Sequence, residues 1–168
     1  MTLGTVARTF AGIRGKNEKG AAALEFALVA PLLLMVLLGI VSYGYMLSFR
    51  QGMSQGAAEG ARAAAVAVAA ATPEQKSAAA VGAVNDALES YGVTCVGATS
   101  TVPGNLVRDG GNVGTCGVTI ANCVNNTAAQ CATVSLNYAY RAHSLVPLPG
   151  LGVVMPSNLV YTAVAQVS

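Results

Sequence analysis

The sequence predicts an α+β fold: a long N-terminal transmembrane or pilin-like helix, a second helix, then a small antiparallel β-sheet domain. Three observations carry this. Residues 26–47 contain no Asp, Glu, Lys, Arg or His, and such a run is long enough to cross a bilayer core at ~1.5 Å per residue. Residues 48–71 are dominated by Ala, the best helix former, and Thr72-Pro73-Glu74-Gln75 then reads as a new helix start. Beyond Val93 the Ala runs give way to Gly, Thr, Val and Asn, with strand-like alternation.

Composition and charge narrow the reading. Of 168 residues, 54% are hydrophobic and 10% charged, and Trp is absent. Much of the apolar share is Ala, which buries little area, so a core outside the membrane is small. A net charge of +2, with no basic patch interleaved with aromatics, excludes a nucleic-acid-binding reading. Within residues 1–20, Arg8, Arg14, Lys16 and Lys19 face only Glu18, whereas basic and acidic residues balance beyond the apolar run. The positive-inside rule keeps the N-terminus cytoplasmic and exports everything after about residue 48. All four cysteines (Cys95, Cys116, Cys123, Cys131) lie in that exported part. An even count in an oxidising compartment predicts two disulfides.

Residues 1–20 read as a basic leader peptide rather than structure. Residues 21–71 form the long hydrophobic helix, with about 26–47 as its membrane span. Glu25 stands at the edge of that span, four residues after Ala21. A carboxylate costs roughly 2.5–3.5 kcal/mol at the bilayer centre and less near its boundary, so Glu25 calls for a partner. Pro31 removes one helix hydrogen bond and crowds the carbonyl of Ala27, which predicts a kink. Gly44, Ser48, Gly52, Gly56 and Gly60 fall at four-residue spacing. They line one ridge on which another helix can approach closely. One helix over 21–71 is about 75 Å long. A domain this small cannot cover it, so it packs against other molecules.

The exported domain spans 72–168. Thr72 caps a helix with Pro73 at its first position and Gln75 closing a capping box. That helix runs to about Tyr91 and stops at Gly92. Its apolar residues Ala80, Val81, Val84, Ala87 and Leu88 suit packing back on the first helix. Residues 118–120, 133–140 and 159–167 read as strands. Residues 102–114 and 146–156 read as long loops. If 117–122 are extended, Cys116 and Cys123 lie roughly 23 Å apart, beyond disulfide reach. Two pairings remain: Cys95–Cys116 with Cys123–Cys131, or Cys95–Cys123 with Cys116–Cys131. A hairpin around Asn125-Asn126 favours the first. The cysteine spacing is not that of a metal site, and the single histidine, His143, is distant. No catalytic or phosphate-binding motif is present.

Residues 19–34 (Lys19-Gly20-Ala21-Ala22-Ala23-Leu24-Glu25-Phe26 through Pro31-Leu32-Leu33-Leu34), followed by Ala57-Ala58-Glu59-Gly60-Ala61-Arg62-Ala63-Ala64, resemble the TadE-like family. These are minor pilins or pseudopilins of the bacterial Flp/Tad tight-adherence pilus. The resemblance covers roughly residues 17–65. It implies a non-enzymatic assembly subunit without a cofactor. It implies cleavage by a prepilin peptidase between Gly20 and Ala21, which makes Glu25 the fifth mature residue, placed to pair with the new ammonium of a neighbouring subunit. It further implies an inner-membrane location, with the exported domain periplasmic or extracellular. Its partners would be other Tad pilins and inner-membrane assembly proteins, with no small-molecule substrate. A type II secretion pseudopilin or type IV pilin is the alternative, but those mature chains usually open with Phe and continue Thr-Leu, where this one has Ala21-Ala22-Ala23. A single-pass anchored domain that binds an envelope ligand through its loops is the reading of a different class.

Overall fold

Helix α1 runs from Arg14 to Val66 with Pro31 inside it. The computed structural model describes residues 14–68, 71–147, 152 and 154–167, with side chains from Gly20 onward. The helix starts before residue 21, inside the segment expected to be an unstructured leader, and stops before residue 71. Extending an existing helix backwards carries no new nucleation cost. Beyond its other end the Ala71 amide donates to the Val68 carbonyl (2.7 Å). Thr72 is extended and serves as the N-cap of α2 (Pro73–Leu88): its side chain accepts from the Gln75 amide, and Gln75 returns the bond to the Thr72 amide. A 3-10 turn, Glu89–Tyr91, follows and ends at left-handed Gly92.

Five antiparallel strands then form a meander in chain order: β1 (Val93–Val96), β2 (Gly104–Arg108), β3 (Gly111–Cys123), β4 (Asn126–Tyr138) and β5 (Leu159–Val167). The α+β class holds. The expected loop at 102–114 is instead a hairpin that contains β2. Asp109 (φ 52°) and Gly110 (φ 78°) both take positive φ at its tip, which matches the twist of the flanking strands. A bulge explains why its alternation was obscured. Leu106 pairs with Gly114 and Val107 with Asn112, so Val113 has no partner on β2. The extra residue lets Val113 and Cys116 both face the core. Gly114 is needed there, because a Cβ would collide with the backbone of Asn137 and Tyr138.

The chain divides into two units, Met1–Val41 and Ser42–Ser168. In the first, the large apolar side chains of α1 are exposed, Phe26 by 73%. In the second, Ser42, Met46, Phe49, Met53, Ala57, Ala61 and Ala64 bury one stripe of α1 at three- and four-residue spacing. Ala80, Val84 and Leu88 of α2 join it. Alternate residues of the sheet complete the layer, among them Leu106, Val118, Val134, Leu136 and Tyr138. The other sheet face, with Thr115, Thr119, Ser135 and Asn137, is exposed. Ser42 and Met46 belong to this core, so the charge-free run of 26–47 enters the folded unit before it ends.

Candidate functional site

Gly20, Ala21 and Glu25 all lie on α1 and are exposed. Helical geometry puts Ala21 and Glu25 one turn apart on the same face. A Cβ on Gly20 would meet nothing within 4 Å. Among the described residues the salt bridge found is Arg108–Asp109 at 3.5 Å, so Glu25 has no cation from that set. Around it Leu24, Phe26, Leu28 and Val29 are all exposed. Among the described residues, neither this carboxylate nor these apolar side chains find a partner. Pro31 sits six residues further on, within continuous helix. Gly20–Val66 is long and apolar enough to cross a membrane, and its most apolar window is unburied.

The ridge of small residues splits. Gly44 meets nothing within 4 Å of a built Cβ. Gly52, Gly56 and Gly60 are covered from within the chain: a Cβ would stand 2.8 Å from the Tyr91 ring, 3.3 Å from the Ala87 methyl and 2.8 Å from a Val84 methyl, respectively. The close approach of a second helix expected of the ridge is met for these three by α2 and the turn after it. Ser48 is exposed, and its hydroxyl lies 2.9 Å from the Tyr91 hydroxyl, which donates to the Ser48 carbonyl at 3.0 Å. Tyr91 also stacks edge-on against Tyr45 and Phe49. Arg50 donates from Nε to the Tyr161 hydroxyl at 2.9 Å. Sequence reading treated Tyr91 only as the end of a helix. The signal available was its place beside Gly92, where a helix end meets the ridge.

Cys95 pairs with Cys116 and Cys123 with Cys131, the first of the two pairings left open by spacing. The Cys95–Cys116 bond is buried and ties β1 to β3, which are not neighbours in the sheet. Gly104, opposite Cys116, makes this possible: a Cβ there would run into the backbone of Val96 and Ala98. Cys123–Cys131 closes the β3–β4 hairpin beside its turn at Val124 and Asn125 and is partly exposed. A shallow concavity of about 430 Å³ adjoins that turn, lined by Asn122, Asn125, Asn126 and Gln166. A second, of about 350 Å³, is lined by Arg108, Asp109 and His143. Among the described residues no group of three or more His, Cys, Asp or Glu could hold a metal ion. Burial pushes the Tyr138 and Tyr140 phenols above their ordinary range, as expected of core residues around Phe49.

Among the described residues, the large apolar side chains of α1 up to Val41 are thus left exposed, and this stretch from Gly20 on lies within a match to a known family. Residues 20–62 match TadE-like protein. The TadE-like match covers about a quarter of the chain. It begins at Gly20, leaves residues 1–19 outside, and takes in Glu25, Pro31 and all five ridge residues. It agrees with the resemblance read from residues 19–34 and 57–64 and is consistent with a protein associated with the Tad pilus. No characterised protein and no solved structure matches the chain.

Proposed function

We propose that this chain is a minor pilin, or pseudopilin, that takes part in assembly of a Tad pilus. It is held in the bacterial inner membrane by α1, with residues 42–168 on the outer side. A prepilin peptidase cuts after Gly20. The observation that supports this best is the pairing of two facts at one place: the family match starts at Gly20, and the adjoining carboxylate of Glu25 is exposed without a cation among the described residues.

The chemistry follows from that cut. Cleavage turns the Ala21 amide into an ammonium one turn from Glu25. Within one subunit that pairing is local. In a packed bundle the Glu25 carboxylate meets the ammonium of a neighbour, where a low dielectric makes an unpaired charge costly and a paired one directional. The exposed Leu24, Phe26, Leu28 and Leu32 side chains pass from lipid to neighbouring helices as the subunit is extracted. Gly20 lies within continuous helix, and peptidase cleavage requires local unwinding, which glycine makes cheaper by roughly 1 kcal/mol relative to Ala. The other partners in this reading are the remaining Tad pilins and inner-membrane assembly proteins.

Complementation tests it. Cells that lack this chain should lose Tad pili and regain them with the wild-type protein. Glu25→Ala should reach the membrane in normal amount yet fail to restore pili. Full restoration by Glu25→Ala would sink the reading.

A further inference from the structure

We infer that the folded unit rests on the phospholipid headgroup layer through a tyrosine girdle made by Tyr43, Tyr45 and Tyr91, with Arg50 beside it. The inference rests on the reading of α1 as a membrane anchor and adds where the soluble part stands. Its observations come from Val41 and residues 42–168, together with chain connectivity.

The last exposed apolar residue before the folded unit is Val41, 54% exposed. Twenty residues on from Phe26, at ~1.5 Å each, match the ~30 Å hydrocarbon core and end at Tyr45. Connectivity therefore puts Tyr43 and Tyr45 at the hydrocarbon boundary. Both are exposed, by 52% and 44%. Tyrosine is favoured at this depth, because its ring is apolar and its hydroxyl is wet. The folded unit does not begin beyond this level. Ser42 and Met46 are already 1% and 2% exposed, so protein covers one face of α1 from Ser42 on.

The decisive residue comes from outside α1. Tyr91 ends the 3-10 turn after α2. Its ring centroid is 6.2 Å from that of Tyr45 and 5.0 Å from that of Phe49, and its hydroxyl is bound to Ser48. The end of α2 is thereby level with the residues that leave the bilayer. Arg50, one turn on, holds Tyr161 of β5 by its Nε and is itself exposed. Glu89 opens the same 3-10 turn, so the patch carries both signs. Such a patch suits a headgroup layer as a whole rather than an anionic lipid in particular. The opposite end of the sheet, where Val124 is 98% exposed, points to no such contact.

The absence of Trp from the chain makes the test clean. Single-Trp variants of the full chain are reconstituted into vesicles of phosphatidylethanolamine and phosphatidylglycerol that carry quenchers either deep in the acyl chains or at headgroup level. Leu34→Trp should lose fluorescence to the deep quencher. Ser90→Trp, which keeps Tyr91 intact at an exposed site, should lose it to the headgroup quencher. Val124→Trp should lose it to neither. If Leu34→Trp is quenched deep and Ser90→Trp is unquenched, the folded unit stands clear of the membrane and this inference is overturned while the anchor survives. If Leu34→Trp escapes the deep quencher, both are overturned. Glu89→Trp, exposed on the same 3-10 turn, serves as a second reporter should Ser90→Trp not fold.

Discussion

A Cβ on Gly60 would stand 2.8 Å from a Val84 methyl and 3.1 Å from the Ala80 carbonyl oxygen. The two helices of the folded unit meet at this point only because the residue has no side chain. Gly82 on α2 offers the contrast, since a Cβ there meets nothing within 4 Å. Gly60→Val should therefore cost about 1–3 kcal/mol by overpacking, whereas Gly82→Ala should add about 0.5–1 kcal/mol through helix propensity. Urea unfolding of the full chain in detergent, followed by circular dichroism, reads both. Equal effects of the same sign would contradict the close approach.

The two disulfides should differ in both accessibility and weight. Cys123–Cys131 is partly exposed and Cys95–Cys116 is buried. Thiol alkylation under rising dithiothreitol should label Cys123 and Cys131 first. Their sequence separations are 8 and 21. Chain entropy alone then assigns about 2.5 kcal/mol to the short loop and about 3 kcal/mol to the long one. The Cys95→Ala/Cys116→Ala variant loses packed core atoms as well, so its urea midpoint should fall further than that of Cys123→Ala/Cys131→Ala.

Acid should weaken the start of α2. The backbone N–H of Glu74 and the Ser100 hydroxyl hold the Glu74 carboxyl below its ordinary pKa of 4.5, with the Ser100 bond at 3.0 Å. A carboxylate depressed on folding adds stability above its unfolded pKa and loses that share as pH falls through the folded value. Stability should decline below about pH 4.5. Glu74→Gln should flatten that part of the pH profile by lowering stability near neutral pH towards its acid value. An unchanged acid slope in Glu74→Gln would remove Glu74 from the account.

Particular residues explain what the sequence made legible. The capping box at Thr72 and Gln75 was readable because its partners are three residues apart. β5 matched the expected 159–167 because its alternation is unbroken. The hairpin around Asn125 also pointed to the observed cysteine pairing. The end of α1 was not readable, because Ala67 and Ala71 favour helix and only the turn into α2 stops it. β1 and β2 were missed because each is short, and the start of β3 because the bulge at Val113 breaks the period of two. The ridge at Gly52, Gly56 and Gly60 pointed to close approach without naming the partner: a small-residue ridge is the same pattern whether the second helix lies in the same chain or in another. The start of the family match at Gly20, by contrast, lies within the stretch whose resemblance was read from residues 19–34, because a lone carboxylate beside a charge-free run is a local feature.

The central claim is that Gly20 and Ala21 are parted to make the charge that Glu25 meets. The most direct measurement is the N-terminal sequence of the chain extracted from membranes of cells with an active prepilin peptidase. The account predicts a chain that begins at Ala21. A chain that still begins at Met1 would contradict it.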